Sequence, residues 1–303
     1  MIYVVGEILI DLLNEKNNLF SYHVGGAPYN VASMITSLGG KVVFQGSIGK
    51  DVFGKILLED VKKRSFYKSL IKVNYRLNTT LATVYLDNNN ERYFSFIRKQ
   101  NTDIYFDKID EKLIEKSNII HFGSLMMSSA KGMNFLISSM RKAKKKGKLI
   151  SFDANYREDI IKPLIAYKRY QKILQYVDIL KLSDDEVKIL SNKDRFEDGL
   201  NLLKKLVKVI VITKGKNGSV IYSNDQVISV PTIKINMIDS TGAGDGFFGG
   251  LLYYYDYLIS KNMPINWEDI LKFANGCGAF VAMHKGAIDN LPTKEEIFNL
   301  LNY

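Results

Sequence analysis

The stretch Ala143-Lys144-Lys145-Lys146-Gly147-Lys148-Leu149-Ile150-Ser151-Phe152 ends one kind of element and begins another. Lysines suit the negative end of a helix dipole, and glycine suits the left-handed residue that closes a helix, so the amphipathic segment 130–146 reads as a helix stopped at Gly147. Residues 149–152 then form a short apolar run of the kind that makes a buried strand. Runs of the same sort recur at 2–5, 42–45, 118–122, 179–182 and 209–212, most of them separated by longer amphipathic stretches. That alternation predicts a parallel sheet covered by helices on both faces. Further helices are expected over 28–38, closed by Gly39, and over 52–64, with Asp51 as N-cap.

Two regions break the alternation. Residues 8–24, and residues 81–98 with the turn-forming Asp87-Asn88-Asn89-Asn90 inside them, read as a small antiparallel sheet. Set over the carboxyl ends of the parallel strands it would be a lid, drawn from segments of about 8–24 and 75–100, inserted in one α/β domain that spans 1–303. A merely structural hairpin is the other reading.

The 303 residues, 46% hydrophobic, suffice for a sizeable core. Cys277 is the only cysteine, which excludes an internal disulfide and argues against a cysteine metal site. No basic region precedes an apolar stretch at the start, and no run reaches the roughly 18 apolar residues of a membrane span, so a cytoplasmic protein without membrane contact is expected. The formal charge of +10 is mainly dispersed lysine. Its densest run, 141–148, has no interleaved aromatics to form a single-strand platform, so nucleic acid is not the expected partner. His23, His121 and His284 have no metal-ligand spacing and receive no catalytic role.

The chemistry concentrates in Asp239-Ser240-Thr241-Gly242-Ala243-Gly244-Asp245. If a helix begins near Gly242, its unpaired N–H groups converge with the positive dipole end behind them, and the small residues let an anion such as a phosphate approach. Asp245 in the first turn would stay ionised, a weak base. In the loose transition state of phosphoryl transfer the attacking hydroxyl becomes acidic late, so an aligned weak carboxylate can still take its proton. By itself, an acid that merely favours the helix start is a competing explanation. A second motif, Gly25-Gly26-Ala27-Pro28-Tyr29-Asn30, places two glycines before a first-turn proline, with Asn30 and the earlier Asp11 available to a polyol; by itself, a tight turn with Asn30 facing solvent accounts better for so short a pattern.

The two motifs, in this order and about 215 residues apart, resemble those of the ribokinase-like, or PfkB, carbohydrate kinases, and the resemblance runs essentially end to end. It implies a three-layer α/β ribokinase fold with a mostly parallel central sheet and a small β-sheet lid, and transfer of the γ-phosphate of ATP, with Mg²⁺, to a sugar hydroxyl. By the resemblance Asp245 is the base and Gly242, Ala243 and Gly244 form the anion hole. Arg92-Tyr93-Phe94-Ser95-Phe96-Ile97-Arg98, His121-Phe122-Gly123-Ser124-Leu125 and Phe152-Asp153-Ala154-Asn155-Tyr156-Arg157 look like bacterial fructokinases, which makes fructose the first expected substrate. The substrate set so implied is Asp11, Gly25, Gly26, Asn30, Arg98, Arg157 and Asp245. The nucleotide set is Ser183, Thr213, Gly215, Gly218, Gly242, Gly244, Asn275 and Gly286.

Where many relatives carry Asn-x-x-Glu, this chain has Ser183-Asp184-Asp185-Glu186, leaving Glu186 to orient Mg²⁺ through water. Ala154 replaces a proline common in relatives. The resemblance also allows a monovalent cation such as K⁺ beside Asp239, and a homodimer paired through the hairpin edge near Thr83 and Ser95. The rival readings are a kinase for 2-keto-3-deoxygluconate, ribose or a nucleoside, and a non-catalytic sugar- or nucleotide-binding regulator.

Overall fold

Strands and helices alternate as expected in the computed structural model, which describes residues 1–14, 19–86, 92–104, 108–223 and 226–302. The strands are β1 (Ile2–Val5), β2 (Leu9–Asn14), β3 (Phe20–Gly25), β4 (Val42–Gly49), β5 (Lys68–Asn74), β6 (Leu81–Leu86), β7 (Arg92–Ile97), β8 (Ile119–Gly123), β9 (Leu149–Asp153), β10 (Ile179–Ser183), β11 (Val209–Thr213), β12 (Ser219–Ser223) and β13 (Gln226–Val230). The helices are α1 (Ala27–Ser37), α2 (Val52–Lys63), α3 (Glu111–Lys116), α4 (Ala130–Lys145), α5 (Pro163–Ile173), α6 (Asp184–Ser191), α7 (Phe196–Lys204), α8 (Ala243–Ser260), α9 (Trp267–Ala282) and α10 (Lys294–Leu300).

The large sheet runs β13-β12-β11-β10-β9-β8-β1-β4-β5. From β11 to β5 every neighbour is parallel, and β12 and β13 extend one edge antiparallel. The period-2 pleat divides its apolar residues between two cores. Tyr3, Val5, Phe122, Phe152 and Leu180 face α4, α5, α6 and α7. Ile2, Val4, Phe44, Ile119 and Val211 face α1, α2, α8 and α9.

The helix signals hold. Asp51 Oδ1 accepts from the Gly54 amide at 2.8 Å at the start of α2. Gly39 and Gly147 follow α1 and α4 with φ of 88° and 66°, the left-handed conformation that glycine adopts without strain. Lys142, Lys144 and Lys146 pair with Glu111, Asp178 and Glu115, so much of the basic run is tied to acids of its own chain. Among the described residues no helix is long and apolar enough to cross a membrane.

The small sheet is separate, with order β3-β2-β6-β7. It corrects one expectation: β2 and β6 pair in parallel, Ile10 with Leu81 through Leu13 with Val84, so two antiparallel hairpins are joined into a mixed sheet. Both β2 and β6 enter from the same side of the large sheet, which fixes them in one direction. The turn expected at Asp87 to Asn90 lies outside the described residues, as do residues 15–18 of the first inserted segment.

Candidate active site

One register row crosses the small sheet: His23, Asp11, Ala82 and Phe96 are successive partners. Asp11, Ala82 and Phe96 line a cavity of about 270 Å³ whose opposite wall is made at the carboxyl ends of the large sheet by Ser124, Asn155 and Lys181. The small sheet therefore covers the end of the parallel strands where open α/β sheets hold ligands. Asn155, just past β9, has φ of 32°, a strained backbone conformation of the kind that collects at functional sites.

Glycines let the walls close. At Gly26, with φ of 111°, a Cβ would come within 2.7 Å of the Glu7 carbonyl oxygen. At Gly25 it would meet Asp11 Oδ2, so Gly25 makes room for the Asp11 carboxyl. Gly26 then caps α1, with Pro28 in the first turn as the sequence indicates.

Asp245 lies in the first turn of α8. Gly242 is the N-cap with φ of 74°, and a Cβ there would strike Ala287, so only glycine fits. The Ala243 amide donates to Ser240 and the Gly246 amide to Gly242, while the amides of Gly244 and Asp245 are first-turn donors with no acceptor inside the helix. Asn30 Nδ2 donates to Asp245 Oδ2 at 2.8 Å, so residues 215 apart in sequence meet in one hydrogen bond. The sequence led us to expect an acid made weaker as a base by the helix dipole. Burial reverses this: it raises the Asp245 pKa above the usual aspartate value against the opposing pull of Lys181, Asn30 and Arg157.

Lys181 is the strongest feature that the sequence motifs left out. Its ammonium donates to both oxygens of Asp153, at 3.1 and 2.9 Å, in a nearly solvent-free ion pair. A Cβ on Gly244 would stand 3.1 Å from Lys181 Nζ, which puts the cation beside the glycine run. Burial works against the charge, but Asp153, Asp245 and Glu186 outweigh it and hold the Lys181 pKa above its usual value. Glu7 also lines the cavity, a position that the sequence motifs left out.

A larger cavity, about 690 Å³, adjoins the first and shares Ser240 and Gly244 with it. Thr213, Gly215, Gly218, Gly244 and Asn275 of the expected nucleotide set line it, together with Ala243. Its apolar wall comes from Ile233, Ile235, Met237 and Phe247. Asn275 lines it with both ends of its amide engaged: Oδ1 accepts from Ser219 Oγ, and Nδ2 donates to the carbonyls of Val230 and Pro231. It thereby anchors the segment that carries Ile233 to Met237.

Five further expected positions are placed elsewhere. Arg98 does not line either cavity; its guanidinium donates to both oxygens of buried Asp103 and to Ser128 Oγ. Ser183 is the N-cap of α6 in a capping box with Glu186. Glu186 accepts from the Ser183 amide at 2.7 Å and from the Tyr156 amide at 2.6 Å, so it braces the loop that carries Arg157 to the smaller cavity. Gly286 lies behind the glycine run, where its amide donates to Asp239 Oδ2; Asp239 Oδ1 accepts from the Thr241 amide and hydroxyl. Asp239 is thus a clasp between two loops.

The histidines are engaged in other work. His23 contacts Asp289 at 2.5 Å. His121 is kept neutral by burial, its pKa pushed down to about 3. His284 Nδ1 lies 2.8 Å from the Phe280 carbonyl. Among the described residues no three His, Cys, Asp or Glu side chains gather as a metal cage.

Two adjoining cavities, a buried lysine and a helix N-terminus between them suit the passage of an anionic group from one bound molecule to another. Comparison with known proteins agrees. Residues 1–294 match the family described as pfkB family carbohydrate kinase. A probable fructokinase-2 of Arabidopsis thaliana is 33% identical over 312 residues, covering 98% of this chain and 94% of the relative. Among solved structures, the Xylella fastidiosa fructokinase with bound ATP superposes with a TM-score of 0.89 at 29% identity, over 99% of this chain and 98% of that one. The Vibrio cholerae O395 fructokinase, bound to fructose, ADP and calcium ion, gives 0.86 at 26%, with the same two coverages. With nearly its whole length matched and the glycine run placed at the junction of two cavities, the chain belongs to the pfkB family of carbohydrate kinases.

Proposed function

We propose that this chain is a fructokinase, which transfers the γ-phosphate of ATP, taken as its Mg²⁺ complex, to a primary hydroxyl of fructose. The observation that carries the reading is the meeting of the two cavities at Ser240 and Gly244, with Asp245 on the side of the smaller one. Fructose occupies the smaller cavity under the small sheet, which acts as a lid, and ATP the larger. The amides of Gly244 and Asp245 and the Lys181 ammonium stabilise the charge on the phosphoryl group in flight. Asp245, oriented by Asn30, accepts the proton of the attacking hydroxyl, and its raised pKa makes it the better acceptor. Closure of the small sheet excludes water that would otherwise take the phosphoryl group.

A neutral sugar suits the smaller cavity better than a carboxylated one. Glu7, Asp11 and Asp245 line it, Lys181 is matched by Asp153, and Arg98 is spent on Asp103. A 2-keto-3-deoxygluconate carboxylate would face three carboxyl groups, with Arg157 as its main cationic contact. Mg²⁺ enters with the nucleotide phosphates, as a hard cation that keeps several waters does. Glu186 retains lone pairs beyond its two hydrogen bonds with which to accept from a metal-bound water. A K⁺ ion beside Asp239 would brace the clasp to Thr241 and Gly286 rather than touch the sugar.

We further infer a homodimer through the small sheet, whose outward face exposes Phe20, Tyr22 and Ile97. A cytoplasmic setting accords with the single buried thiol of Cys277. A coupled ADP-release assay over fructose, ribose, 2-keto-3-deoxygluconate and a nucleoside, run with Mg²⁺ and with and without K⁺, tests the function. Fructose is expected to give the highest kcat/KM; a preference for the carboxylated sugar overturns the proposal.

A further inference from the structure

Glu7 stands in the loop between β1 and β2 in a position that is unfavourable for a carboxyl group. It is 5% exposed, and its Oε2 has no hydrogen-bond partner among the described residues. Burial pushes its pKa up to about 8; Asp103 and Asp245 add to the rise, and Arg98 opposes it. Arg98, the cation nearest to hand, directs its hydrogen bonds to Asp103 and Ser128 instead. Gly123 packs against the carboxyl, where a Cβ would come to 3.3 Å from Oε2. Native structures rarely leave a buried polar group unpaired, so an unpaired carboxyl oxygen on a residue that lines a cavity calls for a partner.

A second orphan lines the same cavity. Asn30 gives its Nδ2 to Asp245, but its Oδ1 is buried without a partner among the described residues. An amide oxygen can only accept, and a carboxylic acid can donate. Together they offer what one sugar hydroxyl needs: an acceptor for its proton and a donor for its oxygen.

We propose that Glu7 is a specificity-determining residue, a carboxylic acid that donates to a hydroxyl of the bound sugar other than the one Asp245 deprotonates, with Asn30 Oδ1 accepting from that hydroxyl. The inference rests on the sugar-kinase reading above. It adds a discriminating contact on the sheet side of the cavity, and it assigns to Glu7 the recognition that Arg98 does not perform.

The test uses full-length Glu7→Met, which keeps the length of the side chain and removes its hydrogen bonding, and Glu7→Gln, which restores a neutral donor. Fructose and its monodeoxy analogues are assayed by ADP release, with nucleotide Kd and thermal melting as controls for folding. For Glu7→Met the KM for fructose is expected to rise about 10–100-fold with little change in kcat, while Glu7→Gln stays within about threefold of wild type, as loss and rescue of one buried hydrogen bond require. For the one analogue that lacks the contacted hydroxyl, wild type and Glu7→Met should have the same KM. A folded Glu7→Met with unchanged KM for fructose overturns the proposal, as does an equal loss on every analogue. If Glu7→Met does not fold, Glu7→Gln decides: a tenfold rise in its KM overturns the proposal, and wild-type behaviour with one analogue singled out supports it. Wild-type protein that phosphorylates no sugar would sink the kinase reading itself, and the Glu7 proposal with it, whereas turnover of fructose with Glu7→Met unaffected sinks only the latter.

Discussion

The smaller cavity, proposed for the acceptor, is lined by charged side chains of both signs, whereas the larger, proposed for the nucleotide, is lined by small and apolar residues with lysines as its only charged groups among the described residues. Glu7, Asp11, Asn30, Arg157, Lys181 and Asp245 crowd into about 270 Å³ on one side. On the other, about 690 Å³ is bounded by Gly215, Gly218, Gly278 and Ala279 and by Ile233, Ile235 and Met237, with Lys216 and Lys234 but no acidic residue among the described lining. The difference follows from what each must recognise. Telling one hydroxyl of a neutral polyol from another needs directional donors and acceptors, and leaving any of them unpaired is costly. A nucleotide offers a flat, largely apolar base and a phosphate chain, for which close backbone and an apolar wall suffice. Substitutions on the two sides should therefore fail in different ways.

The largest break is expected at Asp245. Asp245→Asn keeps the shape of the helix start and removes the proton acceptor, so kcat should fall by roughly a thousandfold or more. ATP binding, measured by calorimetry, should persist, because the nucleotide cavity does not include Asp245. Turnover retained within tenfold would remove the residue from its proposed role. Lys181→Met comes next, with a loss of about a hundredfold in kcat as one stabilising donor disappears. It also strands Asp153, at a cost of about 3–5 kcal/mol in a denaturant melt. Lys181→Met with Asp153→Leu should recover much of that stability and none of the turnover, which separates the structural contribution of the pair from its chemistry.

The same contrast decided what the sequence revealed. The α/β layers were legible because periodicity and punctuation agree: Gly39, Gly147 and Asp51 bound helices where the structure ends or starts them. The acceptor side was legible because Asp11, Asn30 and Asp245 sit in short glycine motifs. Lys181 was not, since a lysine between two leucines in a strand reads as an outward-facing residue until Asp153 is brought beside it by β9. Arg98 misled for the converse reason: its partner Asp103, five residues on, is buried by a fold that local sequence does not describe. The nucleotide wall, Ile233-Lys234-Ile235-Asn236-Met237, alternates apolar and polar residues without forming a strand, and becomes a wall only when Asn275 pins its start. The parallel pairing of β2 with β6 joins segments about 70 residues apart, beyond any hairpin rule.

A smaller effect, confined to the other side, is expected from Asn275→Leu. Loss of its hydrogen bonds to the Val230 and Pro231 carbonyls frees the start of the apolar wall, and the KM for ATP should rise about tenfold, the equivalent of about 1.4 kcal/mol. The KM for fructose should stay within about twofold, since Asn275 does not line the acceptor cavity. If both constants rise together, the two cavities are one mechanical unit.

The smallest expected effect is the slope that a single carboxyl adds to the pH dependence of the unliganded protein, and the acceptor side contributes to it through Glu7 and Asp11. Burial raises the pKa of Glu7 to about 8, and burial followed by the charge of Asp245 raises that of Asp11 to about 7. Each group then binds its proton more tightly in the folded chain than in the unfolded one, where carboxyls titrate near pH 4. The stability this contributes is complete below pH 4 and is lost as pH climbs toward 7 for Asp11 and 8 for Glu7, by at most about 1.4 kcal/mol per pH unit for each group. The melting temperature without ligands should therefore fall between pH 5 and pH 8. Glu7→Gln cannot titrate, so its slope should be shallower, most visibly between pH 7 and pH 8, where Asp11 is nearly finished and Glu7 is not. Asn275→Leu, on the nucleotide side with no carboxyl in the lining, should leave the wild-type slope in place. A Glu7→Gln slope equal to wild type would mean that Glu7 is already ionised in the folded chain, and the acceptor cavity would then lack the hydrogen-bond donor assigned to it.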